Sequence, residues 1–212
     1  MKTITRAAAG AFAMLGGTAS AATLVGVTGT FYDSASPILG LADADAVVTA
    51  GGADATFDLT RIDFPAVSGS SLSGSTSLSA FLGANGTITS GNGNLAIETS
   101  VFVFEGMIQL DGTENFFDVI LDDGFRLEIG GQTIREDGSV APPRNVRTAN
   151  PLGAGLYTFR LTYFENGGGA EVRFATDLQT VENVAAVPVP AALPLMGGAL
   201  LAGGIARRRA RR

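Results

Sequence analysis

The chemistry open to this chain is mainly that of carboxylates. Its 212 residues include no His and no Cys, which excludes a Ser-His-Asp or Cys-His nucleophile and a His/Cys zinc site. Two acidic residues, Asp122 and Asp123, stand side by side before Gly124. Two convergent carboxylates are a strong start for a calcium site, because calcium takes about six to eight oxygen ligands.

The same three residues also fit an ordinary tight corner. There an Asp side chain accepts hydrogen bonds from backbone N–H groups, and Gly takes a positive φ. Paired carboxylates could also serve a glycosidase, but a chain with 20 acidic residues must contain pairs, so their presence does not indicate an enzyme. We expect no enzymatic activity, and the sequence leaves the calcium site and the plain corner open as alternatives.

The segments that must position this corner have the pattern of β-strands. Residues 125–129, 157–163 and 171–174 alternate apolar and polar side chains with a period of two, which is typical of half-buried strands. Residues 102–110 and 116–121 are more continuously apolar, as strands covered on both faces would be. No long stretch has the 3.6-residue period of an amphipathic helix.

Turn residues separate these segments, and in one segment the apolar side chains move from odd to even positions. Residues 57–64 start with apolar odd positions and end with apolar even ones, which predicts one strand with a β-bulge. The low-complexity stretch 69–79 predicts a flexible surface loop or a weak edge strand. Turn dipeptides separate the strands at positions 111–112, 123–124, 130–131, 137–138 and 166–167. We therefore predict an all-β fold, an antiparallel β-sandwich or barrel, for residues 22–186 as a single domain.

The order of motifs in residues 101–176 is similar to that of a known domain family. After the Asp-Asp-Gly corner come Phe-Arg-Leu-Glu-Ile-Gly-Gly at 125–131, Leu-Gly-Ala-Gly-Leu-Tyr at 152–157 and Tyr-Phe-Glu-Asn-Gly-Gly-Gly-Ala at 163–170. This resembles the protective-antigen-type (PA14) domain family, whose fold is a β-sandwich or barrel. In its adhesin members, such as flocculins, an Asp-Asp pair joined by a cis peptide binds calcium, which in turn binds sugar hydroxyls. The resemblance implies these roles for Asp122 and Asp123, with Asn166 as a further metal ligand.

The N-terminus is typical of a secretory signal peptide. Lys2 and Arg6 precede a short apolar run, residues 7–17, and Ala19 and Ala21 form an A-x-A cleavage site around Ser20. We predict that signal peptidase removes residues 1–21.

The C-terminus, residues 187–212, has the pattern of a second targeting signal. Its parts are the motif Val187-Pro188-Val189-Pro190-Ala191, an apolar run through residue 206, and the basic tail Arg207, Arg208, Arg209, Arg211 and Arg212. The run is long enough to cross a membrane as a helix, and the Arg residues should remain cytoplasmic.

This order of parts resembles the VPLPA-CTERM variant of the PEP-CTERM sorting signals, found in Gram-negative bacteria that make extracellular polysaccharide. Val189 stands where the motif has Leu. The resemblance implies cleavage by an exosortase-type membrane protease. A plain single-pass anchor, or a helix that dimerises through its small residues, is the alternative.

The charge between the two ends excludes one class of partner. The central chain keeps seven Arg against all 20 acidic residues, a net charge of −13, and so acidic a body repels nucleic acids.

We predict an exported, exosortase-processed protein, tethered to the inner membrane as a precursor and then placed at the cell surface or in the extracellular matrix. Its domain would be a calcium-dependent module that binds extracellular polysaccharide. A structural coat or adhesin subunit without a ligand, or a carboxylate glycosidase, is the alternative.

Processing at both ends is testable by intact mass. We expect protein recovered from the producing cells to lack residues 1–21 and everything after the motif at 187–191, because both targeting signals are cleaved. A mass that still includes residues 207–212 would show that the tail is only an anchor. Replacing the five Arg of the tail with Ser should impair processing, since it removes the charge that fixes topology.

Overall fold

The computed structural model describes residues 22–66 and 71–186. The predicted signal peptide and the predicted sorting signal lie outside the described residues. Within the described part of the chain, no helix is long and apolar enough to cross a membrane.

Two β-sheets contain most of the described residues. The elements in chain order are β1 (Thr23–Asp33), α1 (Leu41–Ala50), β2 (Ala55–Leu59), β3 (Asp63–Phe64), β4 (Leu72–Ser73), α2 (Leu78–Leu82), a 3-10 turn (Gly83–Asn85), β5 (Gly86–Gly91), β6 (Ser100–Leu110), β7 (Phe116–Asp122), β8 (Gly124–Ile129), β9 (Gln132–Asp137), β10 (Arg144–Ala149), β11 (Gly155–Glu165), β12 (Gly169–Thr176), β13 (Gln179–Thr180) and β14 (Asn183–Val184). The larger sheet has the order β5-β2-β1-β6-β11-β8-β9, and the smaller has the order β10-β7-β12-β13. The short strands β3 and β4 also pair with β12, and β14 pairs with β1.

The sheets pack face to face around a core rich in Phe. Phe159 of the larger sheet contacts Phe174 of the smaller with ring centroids 5.0 Å apart, and Phe104 stacks on Phe64 at 6.0 Å. Among the described strands, pairing is antiparallel except between β14 and β1, which run parallel. The predicted antiparallel β-sandwich is confirmed.

Helix α1 covers the outer face of the larger sheet. Ala44 and Ile38 pack with Val101, Val103 and Phe164 in a second, smaller cluster. Strand β6 is therefore buried on both faces over its first five residues, which explains its continuous apolar run. The sequence pattern did not predict α1, because its ten residues fall short of the window in which helical periodicity is clear, and Gly40 gives it no side-chain N-cap.

The prediction of one bulged strand at 57–64 is wrong. Residues 55–59 form β2 in the larger sheet, whereas Asp63 and Phe64 form β3 in the smaller one. The chain changes sheet between them, and this change of sheet moves the apolar side chains from odd to even positions. In the stretch 69–79, the described residues include the predicted weak edge strand as β4, but Ser77 caps α2 through its hydroxyl.

Three connections between the sheets meet at one end of the sandwich. The chain passes from β7 to β8 at residue 123, from β9 to β10 through 138–143, and from β11 to β12 through 166–168. The strand registers place these ends together, since Glu171 lies opposite Asp122 and Phe164 lies opposite Gly124. The Asp-Asp-Gly corner is the shortest of the three connections.

Asn183 ties the last described strand to the rest of the domain. Its amide donates to Val27 O at 2.8 Å and to Leu59 O at 2.7 Å, and its Oδ1 accepts from Val27 N at 3.1 Å. Val27 lies where the register of β1 against β6 is interrupted. The side chain therefore supplies partners that the irregular backbone lacks.

Replacing Asn183 with Ala should lower the free energy of unfolding by about 2–4 kcal/mol, since it leaves three partly buried backbone groups without their partner. Equilibrium denaturant unfolding measures this. Asn94→Ala, the same change in an exposed turn, is the control and should cost under about 0.5 kcal/mol. Equal effects of the two substitutions would contradict the role given to Asn183.

Candidate functional site

The Asp122–Asp123 corner lies where the chain passes from the smaller sheet to the larger one. Its peptide bond is cis. Asp122 ends β7, Gly124 begins β8, and the two acidic residues are only 6% and 2% exposed. The structure therefore brings two carboxylates together at the junction of the sheets.

Asp123 binds the other two connections. Its Oδ1 accepts a hydrogen bond from Ala141 N at 2.9 Å, in the β9–β10 loop. Its Oδ2 accepts from Asn166 N at 2.9 Å, in the β11–β12 loop. One buried carboxylate thus holds all three connections in a fixed arrangement, which is the behaviour expected of a structural corner.

Asp122 is in a different situation. No N–H or O–H group of the described residues hydrogen-bonds to its carboxylate, although its backbone oxygen accepts from the Tyr163 hydroxyl. Burial, and then the charge and contact of Asp123, raise the pKa of Asp122 to about 6, while Arg144 opposes the shift. A buried carboxylate without a donor is costly, so a cation at this position would relieve both the desolvation and the repulsion.

An open pocket of about 450 Å³ lies over the corner. Its lining consists of Ser71, Asp122, Asp123, Val140, Ala141, Pro142, Pro143, Gly167 and Gly169. A Cβ placed on Gly169 would lie 2.8 Å from Ser71 Oγ and 3.0 Å from Asp122 Oδ2. Glycine at this position keeps open the space on which these two oxygens converge.

A third buried carboxylate, that of Glu165, lies close to the two aspartates of the corner. Glu165 is fully buried and accepts hydrogen bonds from the Tyr163 hydroxyl at 2.9 Å and from Gly167 N at 2.7 Å. Burial raises the pKa of Glu165 to about 8 against the lowering effect of these bonds, and the charges of Asp123 and Asp122 add to the rise. Sequence reasoning missed Glu165, although the alternation of β11 could have found it, because position 165 lies on the same inward face as Tyr163.

Asn166 lies next to the corner, but its side chain has another partner. Its Oδ1 accepts a hydrogen bond from Ile38 N at 2.8 Å, and only its backbone N–H contacts Asp123. Its role as a metal ligand stays a prediction. The residues of the sorting motif, the basic tail and the signal cleavage site lie outside the described residues.

The donors at the corner suit a hard cation. Two carboxylates, the amide oxygen of Asn166 and nearby carbonyls are the ligand types that calcium takes. Within residues 22–66 and 71–186, no group of three or more carboxylates forms a ready metal cluster, so neutral oxygens would have to complete the coordination. The unpartnered Asp122 carboxylate and the space kept by Gly169 fit such an ion.

Solved structures share this fold. The PA14 domain of the MpAFP antifreeze protein matches with a TM-score of 0.60 and 20% identity, over 82% of this chain and 93% of that one. A PA14 sugar-binding domain from an RTX adhesin matches with a TM-score of 0.61 and 23% identity, over 76% of this chain and 100% of that one. No protein-family model matches the chain, and no curated protein matches it. The domain therefore has the PA14 fold.

The calcium-free protein should lose stability as pH rises. The pKa of Glu165 is raised in the folded state, so its contribution is full below pH about 4.5 and is lost as pH rises through about 8. Asp122 acts in the same direction through about pH 6. We expect the free energy of unfolding in EDTA to fall by about 2–4 kcal/mol between pH 5 and 8.5.

The Glu165→Gln variant tests how much of this loss of stability with rising pH is due to Glu165. This variant should show little change in its free energy of unfolding between pH 6.5 and 8.5, because Gln does not ionise. Glu105→Gln, the same change at an exposed strand position, is the matched control. Denaturant unfolding across pH decides the matter, and a parent protein as stable at pH 8.5 as at pH 6 would refute the role of Glu165.

Proposed function

We propose that the domain is a calcium-dependent carbohydrate-binding module of an exported surface or extracellular-matrix protein. The observation that carries the proposal is Asp122, a buried carboxylate without a donor among the described residues, which faces an open pocket. The name of the matched RTX adhesin domain states that it binds sugar, and that property is extended to this chain only as part of the proposal.

Asp122 and Asp123 would have different roles in binding. Asp123 is held by two backbone N–H groups, so its carboxylate is positioned before any ion arrives. Asp122 supplies the second carboxylate and loses the repulsion of Asp123 once a cation is present. A bound calcium ion would supply open coordination positions for sugar hydroxyl oxygens. Gly169 leaves the space above Asp122 unobstructed.

Export rests on the two ends of the sequence. The proposed partners are signal peptidase, an exosortase-type protease and extracellular polysaccharide, with the inner membrane as the first attachment. A coat or adhesin subunit without a ligand is the main alternative. Turnover of chromogenic glycosides would reveal a glycosidase.

Calcium should raise the melting temperature of the full-length chain. A ligand at a hundredfold excess over its Kd stabilises the folded state by about 2.7 kcal/mol, which corresponds to about 5–10 °C for a protein of this size. A melting curve that millimolar calcium leaves unchanged, after thorough chelation, would eliminate the metal site and the sugar site that depends on it.

The two aspartates should differ in the calcium-free state. Both Asp122→Asn and Asp123→Asn should abolish the calcium response. In EDTA, Asp122→Asn should melt at the parent temperature or above it, because repulsion and desolvation are relieved. Asp123→Asn should lose about 1–3 kcal/mol, because an amide cannot accept both backbone hydrogen bonds. Asp58→Asn, on an exposed strand position, is the control for the substitution itself.

A further inference from the structure

Ser71 is the second polar side chain of the pocket, after Asp122, that receives no hydrogen bond from the described residues. Its hydroxyl makes no hydrogen bond with any of the residues that the structure describes. Its Oγ and Asp122 Oδ2 both lie within about 3 Å of the position that a Gly169 Cβ would occupy. A hydroxyl and a carboxylate therefore converge on one small volume.

The opposite side of the pocket is aliphatic. Val140, Pro142 and Pro143 line it, and Val140 is 46% exposed. The strand order explains why this side faces Ser71. Ser71 leads into β4, which pairs with β12 on the side away from β7, whereas the loop 138–143 leads into β10 on the far side of β7. The end of β7, Asp122, lies between them.

A pocket of this kind matches the two sides of a sugar ring. A pyranose offers hydroxyls around its edge and C–H groups on its faces. No aromatic side chain lines the described pocket, so the apolar contact must come from the aliphatic side. The volume of about 450 Å³ lies within the usual range of small-ligand sites, about 300–1,000 Å³.

We propose that Ser71 Oγ hydrogen-bonds a hydroxyl of a pyranose held above Asp122, and that Val140 and Pro142 pack against the carbons of the same ring. Ser71 and Val140 are then specificity-determining residues of the site, and neither binds calcium. This inference rests on the proposed function, since it needs a saccharide in the pocket.

Saturation-transfer NMR in millimolar calcium tests the inference on the full-length chain. The probes are the methyl glycosides of glucose, galactose, mannose and N-acetylglucosamine. For the glycoside that binds most tightly, Ser71→Ala should weaken binding about three- to tenfold, the effect of one hydrogen bond. Val140→Ser should weaken it about two- to fivefold through the lost apolar contact. Ser75→Ala, an exposed serine of the same region outside the pocket lining, should bind like the parent.

The calcium affinity of the Ser71→Ala variant shows whether Ser71 contacts the sugar or the metal. The calcium midpoint of the melting temperature should be the same in Ser71→Ala and the parent. A Ser71→Ala protein that binds calcium tenfold more weakly would overturn the inference, because Ser71 would then be a metal ligand. A Ser71→Ala protein that binds both calcium and glycoside like the parent would overturn it as well. A parent that responds to calcium but binds none of the four glycosides would instead refute the carbohydrate-binding function, and this inference with it.

Discussion

The Asp123 carboxylate is the interaction on which the end of the sandwich depends. Both of its oxygens accept backbone hydrogen bonds, one from Ala141 and one from Asn166. Since Asp123 itself forms the β7–β8 corner, the three connections between the sheets become one rigid unit. The same corner carries the Asp122 carboxylate into a buried position, where it receives no hydrogen bond from residues 22–66 or 71–186. The local fold thus creates an electrostatic cost that it does not itself relieve.

The same domain compensates buried acids elsewhere. Asp118 is fully buried, and Arg147 and Asn145 bind its carboxylate together with Leu178 N. These partners lower the pKa of Asp118 despite the opposing effect of burial. Among the described residues, no comparable Arg contact reaches Asp122 or Glu165, and the pKa of each is raised. The contrast supports the proposed binding site, since carboxylates with strongly perturbed pKa values concentrate at functional sites.

The sequence predicted the parts whose signals are local. Alternation identified β8, β11 and β12, and the Gly dipeptides identified the turns between strands. The corner at 122–124 could be located from its motif alone. Features that depend on distant contacts were missed. Helix α1 is short and stabilised by packing on β6, the break between β2 and β3 depends on which sheet each strand joins, and Ser71 reaches the pocket only because β4 pairs with β12. The metal and the sorting signal remain predictions.

The two ends of the described chain lie far from the corner. Thr23 begins β1, and β14 runs beside it, with Val184 paired to Val25. The corner lies at the other end of the sheet, where Asp33, Ser100 and Glu165 are neighbours. A strand the length of β1 spans about 35 Å at ~3.3 Å per residue. Strand β14 runs parallel to β1 and Ala186 lies beside Gly26, so the seven residues from there to Asp33, about 23 Å at ~3.3 Å per residue, separate residue 186 from the corner end of the sheet.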